Sequence, residues 1–305
     1  MNRRTERRRT ERRVFKPAVF RPAVVRPAVA VVVAALLLSL SGSAQPTPQR
    51  VISLVPALTE IVFAIGAGDK VVAVSSYDED PPQVRSLPKV GALIDPDVER
   101  IIALRPDLVL LYGSQADLMT QLGRAAIPYF EYRHGGLKNV TDTIQRLGQR
   151  LGQAAPADAL AGSIEARLSA LRQRTATLEK PRTLLVFGRE SGSLRSIYAS
   201  GGRGFLHDML EAAGGVNVFA DVNAESVEAS TEMILSRAPA VIVELHSEML
   251  PAGQRYEIDA WKSLASVPAV RANRIYTLTG KSLVVPGPRV AEAAEQMAAV
   301  LHPPR

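Results

Sequence analysis

The chain has 305 residues, 47% of them hydrophobic, with 37 Lys or Arg against 30 Asp or Glu and no cysteine. The missing cysteine excludes disulfides, thiolate metal sites, iron–sulfur clusters, cysteine nucleophiles and a lipid-modified cysteine anchor. The net charge of +7 does not point to nucleic acid, because ten basic residues against Glu6 and Glu11 sit in the first 26 positions, a local +8 that leaves the remainder near −1. No basic block is left there to neutralise phosphates.

In chain order, the basic stretch leads into a 13-residue apolar run at 28–40 and then the small residues SGSA at 41–44. This is the pattern of a secretory signal peptide, with cleavage expected after Ala44. Thirteen helical residues reach roughly 20 Å, short of a hydrocarbon core of about 30 Å, so the run predicts a leader and not a membrane anchor. Arg12-Arg13-Val14-Phe15-Lys16 also fits a twin-arginine signal, which keeps both export routes open. The expected mature protein is exported, untethered and long enough for two domains.

From Arg50 the pattern alternates. RVISLVP predicts a strand, TEIVFAIGAG an amphipathic helix closed by glycine, and KVVAVSSY a strand. A helix follows in DVERIIAL, then the strand DLVLLYG, a helix over 115–126 and the strand IPYFEY. Strands alternating with helices of this length predict βαβ units and a mostly parallel sheet. The second half repeats the pattern with TLLVFG, FLHDMLEAAGG, STEMILSRAP, AVIVEL, YEIDAWKSLASV, RIYTLTG and PRVAEAAEQMAAVL.

One unit occurs twice. Glu99 and Glu232 each precede a proline by seven positions, Pro106 and Pro239, and each proline opens an apolar run. LEAAGGVNVF likewise echoes FAIGAGDKVVAV. Between the halves, residues 156–179 carry apolar positions at helical spacing and no flexible Gly/Pro linker, which predicts a stiff helical strut of about 36 Å. The expected organisation is a leader (1–44), a first α/β lobe (45–147), a connecting helix (148–180) and a second α/β lobe (181–305).

Catalytic motifs do not assemble. TGKS at 279–282 lacks the first glycine of a phosphate loop, since Ile275 stands there, and GAGDKV follows a helix, so it reads as a C-cap. His134, His207, His246 and His302 have no metal-ligand spacing, and no GxSxG elbow is present. No catalytic or metal-ligating residue and no resident cofactor is assigned. An exported two-lobed enzyme is the competing class, and turnover of a metal chelate would favour it.

The stretches RVISLVPALTEIVFAIGAGDKVVAVSSYDEDPP and LPKVGALIDPDVERIIALRPDLVL resemble the iron-chelate and cobalamin class of periplasmic substrate-binding proteins, most of all its cobalamin-binding members. The resemblance implies two Rossmann-like α/β lobes joined by a single long rigid helix, with the ligand cleft between them. It also implies a monomer that hands a metal-chelate small molecule to an ABC importer permease in the inner membrane. Glu99 and Glu232 match the family's permease-docking glutamates, one per lobe. A ligand site lined by Tyr77, Tyr112, Tyr198 and Arg189 is expected, with cobalamin or a related corrinoid as cargo and haem or a ferric siderophore as alternatives. Arg133 and Arg203 are further cleft-side candidates for an anionic chelate, and His134 or Tyr77 for haem iron. Leu93 and Ser226 stand where a tryptophan is implied, and Trp261 is expected on a surface helix.

Overall fold

The doubled unit of the sequence is doubled in three dimensions. The computed structural model describes residues 46–247 and 257–303, so the proposed leader lies outside the described residues. The first half runs β1 (Val51–Ser53), α1 (Pro56–Ala64), β2 (Val71–Val74), α2 (Val98–Ala103), β3 (Leu108–Tyr112), α3 (Ala116–Arg124) and β4 (Tyr129–Tyr132). Its four strands are all parallel, in the order β2-β1-β3-β4. Two helices follow, α4 (Leu137–Leu151) and α5 (Ala154–Thr175).

The second half contains β5 (Arg182–Gly188), β6 (Ile197–Ser200), α6 (Phe205–Ala212), β7 (Val216–Asn217), β8 (Ser226–Ala229) and α7 (Thr231–Arg237). It continues with β9 (Val241–His246), α8 (Pro268–Arg271), β10 (Ile275–Thr279) and α9 (Val290–Leu301). Parallel pairings β7-β5, β5-β9 and β9-β10 repeat the first sheet strand for strand. Antiparallel β6 is added beside β5 and β8 beside β6, making this sheet mixed.

The local chemistry repeats too. Asp97 caps α2 by accepting from the Arg100 amide at 3.0 Å, and Ser230 caps α7 by accepting from Met233 at 3.2 Å. Each helix ends at a left-handed residue immediately before its proline, Arg105 (φ 47°) and Ala238 (φ 46°), because a following proline disfavours the α conformation. The last carbonyls are claimed by arginines at the start of the neighbouring strand. Arg50 Nη2 donates to Leu104 O at 2.7 Å, and Arg182 Nη2 to Arg237 O at 2.8 Å. Gly66 (φ 80°) and Gly214 (φ 84°) stop α1 and α6 in the same left-handed turn.

The strut is observed in α5. Its 22 residues span about 33 Å, and Ala157, Ala161, Ile164, Leu168, Leu171 and Thr175 form its buried stripe. It begins two residues before and ends four before the 156–179 expected of the strut, and positions 148–151 of the connecting segment instead complete α4, which Gly152 (φ 72°) terminates. Gly148 lets α4 lie directly against the start of α5: a Cβ there would overlap Ala157 and stand 2.9 Å from the Gln153 carbonyl. At its other end the Thr175 hydroxyl donates to Ala212 O on α6, and Arg167 pairs with Glu295 on α9 at 2.7 Å. One apolar core continues from Val51 and Leu108 through Leu168 and Leu171 to Val241 and Met297. Residues from Thr47 onward accordingly form one compact unit.

Candidate functional site

Parallel open sheets bind ligands beyond the carboxyl ends of their strands, where the strand order reverses. In the first sheet that point lies between β1 and β3, since the chain passes from β1 to β2 on one side and to β3 on the other. A cavity of about 580 Å³ sits there, lined by Leu54 and Pro56 after β1, Ser75 and Tyr77 after β2, and Tyr112 at the end of β3. The loop from Ala92 through Leu93 and Ile94 to Asp95 forms the remaining wall. Tyr77 is 77% exposed and Ile94 93% exposed, so large apolar groups face water here. Such a surface marks a binding site.

Buried polar groups lie around this wall. Asp78 Oδ2 accepts from the Ser75 amide at 2.9 Å, while Oδ1 has no hydrogen-bond partner and the Thr59 hydroxyl donates to the Val55 carbonyl instead. Burial pushes the Asp78 carboxyl up to about 6. Tyr112 packs against Tyr132 and His134, with ring centres 6.0 and 5.6 Å away. Burial raises the pKa of both tyrosines, and the Tyr132 hydroxyl is enclosed without a partner.

Of the expected ligand residues, Tyr77 and Tyr112 line this cavity together, and Tyr198 is not among its described lining residues. Tyr198 lies on β6 in the second sheet, half exposed and tilted against Phe187 at 6.4 Å between ring centres. Arg189 is a correction. Its guanidinium is buried and spends its donors on Glu244 Oε1 (2.6 Å) and Oε2 (3.4 Å) and on the carbonyls of Glu190, Ser193 and Glu257. No N–H is left for cargo. Trp261 is a second correction: it lies in a 3₁₀ segment, Ile258–Leu264, fully buried, with its indole N–H donating to Glu244 at 2.6 Å. An acid inside an apolar strand must find such partners, and the lone Glu in VIVEL is the sequence signal that could have located both.

Among the other candidates, Arg133 is exposed and paired with Glu131 at 2.6 Å, and Arg203 is exposed ahead of α6. Ser226 opens β8, away from the cavity, whereas Leu93 does line it. His207 meets Asn217, His246 meets Glu244 and His302 meets the Ala213 carbonyl. Among the described residues no three potential ligands group around a metal position, and no helix is long and apolar enough to cross a membrane.

Glu99 and Glu232 occupy the same place in the two halves, exposed in the first turn of α2 and of α7. The Ser230 hydroxyl beside Glu232 holds its carboxyl below the usual range, so it is ionised and available to a cation. Sequence reasoning missed the charges that cross between the lobes. Arg289 pairs with Glu60 and Asp80 at 3.2 Å, and Lys281 pairs with Glu79.

Comparison with known proteins agrees with this architecture. The model of the family described as periplasmic binding protein matches residues 51–281. The vitamin B12-binding protein of Yersinia pestis (strain Pestoides F) is 30% identical over 270 residues, covering 87% of this chain and 90% of that protein. The crystal structure of the periplasmic vitamin B12 binding protein of Vibrio cholerae superposes with a TM-score of 0.71 at 28% identity, over 83% of this chain and 96% of that one. A periplasmic heme binding protein from Pseudomonas aeruginosa superposes with a TM-score of 0.72 at 25% identity, over 84% and 93%. With two matching α/β halves, a connecting helix and a family match across both, the chain belongs to the periplasmic binding protein family.

Proposed function

We propose that this protein is the periplasmic receptor of an ABC importer, capturing cobalamin or a related corrinoid and delivering it to the permease. The observation that carries this reading is the cavity at the switch point of the first sheet. Its described lining is two tyrosines and a row of aliphatic side chains, with Ser75 and Asp95 as the polar members and no Lys or Arg. A corrin is a bulky macrocycle edged mostly with neutral amides, which suits such a wall. An anionic ferric chelate calls for guanidinium forks, and Arg189 is already committed to Glu244. The relatives named for vitamin B12 support the same choice.

A haem reading has one observation of its own, the tilted contact of Tyr112 with His134 at 5.6 Å between ring centres, because Tyr and His are iron ligands. Visible spectra of the mature protein titrated with aquocobalamin, haemin and a ferric hydroxamate separate the readings. A saturable change with aquocobalamin is expected. No cobalamin response beside a strong Soret shift would replace the corrinoid with haem.

Glu99 and Glu232 supply the docking half of the proposal. Two exposed carboxylates in equivalent turns of the two lobes suit charge-assisted pairing to arginines on a partner, which sets orientation more than affinity.

A further inference from the structure

Beside the candidate cavity the lobes are joined by charge. Glu60 on α1 and Glu79 and Asp80 after β2 belong to the first half, while Lys281 after β10 and Arg289 at the start of α9 belong to the second. Arg289 holds Glu60 through Nε–Oε2 and Nη2–Oε1, both at 3.2 Å, and its Nη2 also reaches Asp80 Oδ2 at 3.2 Å. Lys281 Nζ donates to Glu79. Between these pairs is a gap of about 220 Å³ whose walls include Pro56 and Tyr77, both shared with the larger cavity. On the far side of Glu60 and Asp80 a second hollow of about 560 Å³ opens beside Phe63, Leu160 and Pro288. The charges therefore stand as posts between two spaces that separate the lobes.

We propose that Glu60, Glu79, Asp80, Lys281 and Arg289 form a strap that sets the width of the cleft. On the reading of the chain as a cargo receptor, the strap also sets how fast cargo enters and leaves. Glu60 is 8% exposed, so it cannot lose Arg289 without leaving a buried charge unpaired. The three acids are all on one lobe and both bases on the other; removing Arg289 leaves the buried Glu60 carboxylate to be hydrated, which parting of the lobes allows, and reversing Lys281 sets like charges against Glu79 across the lobes. Elsewhere the halves share an apolar core through Leu168 and Leu171 on α5. Packing is insensitive to the sign of a charge, whereas the strap is not.

The absence of cysteine makes the test direct. Nitroxides on Thr120→Cys in the first lobe and Ser263→Cys in the second, both exposed positions, report lobe separation by pulsed electron resonance without any ligand. Arg289→Gln and Lys281→Glu are each expected to broaden the distance distribution and lengthen it by on the order of 2 Å or more. The exchanged pair Glu79→Lys with Lys281→Glu should restore the original distribution. Unchanged distances in the single variants, or a lengthening that the exchange does not reverse, would overturn the strap. Dissociation of cyanocobalamin from Arg289→Gln, followed by stopped flow, should quicken by about tenfold. An unaltered rate despite a longer distance would remove the kinetic role, and failure of the unsubstituted protein to bind cyanocobalamin would count against the cargo reading alone.

Discussion

Asp78 is a carboxyl group whose environment opposes its charge. Its folded pKa of about 6 lies above the ordinary 3.8 because burial outweighs the Ser75 amide and Lys89. An acid raised in this way binds its proton more tightly in the folded state than in the unfolded state. Its contribution is full below pH 4 and is lost as pH rises through 6, a loss of about 3 kcal/mol. Asp78→Asn retains an acceptor for the Ser75 amide and cannot ionise. Urea unfolding should show the variant about 2–3 kcal/mol more stable at pH 7.5, with a flatter profile between pH 4 and 6.5. An unchanged slope would mean that another group titrates there. Asp78 sits in SSYDED among three acids, and nothing in that string distinguishes the buried one from Glu79, which is exposed and paired with Lys281. Arg189 and Trp261 were misplaced for the same reason: a side chain's partner 55 or 17 positions away leaves no periodic trace near it.

At the scale of elements the sequence is far more legible. Caps, glycine stops and prolines are local, so α2, α7 and the strands after them follow from DVERIIALRP and STEMILSRAP alone. What escaped were the antiparallel pairings of β6 with β5 and of β8 with β6, which depend on the edge that β5 offers. Positions 148–151, assigned to the connecting segment, belong to α4, which only the left-handed Gly152 ends. The contact of α4 with α5 is open to test. Gly148→Ala would favour an isolated helix by about 1 kcal/mol, but here the added methyl overlaps Ala157. Overpacking should dominate and lower stability by about 1–3 kcal/mol, read as a lower urea midpoint at constant slope. A higher midpoint would show that the two helices can move apart freely.

For the whole molecule, duplication is the organising fact: two sheets share the same parallel core order, and Glu99 and Glu232 stand in the first turns of equivalent helices. If the two turns are the docking points, Glu99→Ala with Glu232→Ala should leave cobalamin affinity unchanged. Uptake into vesicles carrying the reconstituted permease should fall by about tenfold or more, since each lost charge-assisted contact is worth roughly 1.4 kcal/mol or more. Uptake at the original rate would exclude these residues as the contact. The repeat, the α/β class, the connecting helix and the two acids were determined by the sequence alone, because each rests on spacing within about twenty residues, where periodicity and capping act. Only the tertiary structure decided that Tyr112 shares a cavity with Tyr77, that Arg189 serves Glu244, and that Arg289 reaches across 229 positions to Glu60. Those outcomes depend on which strand ends and loops the packed core brings within hydrogen-bond reach, and no local pattern records that.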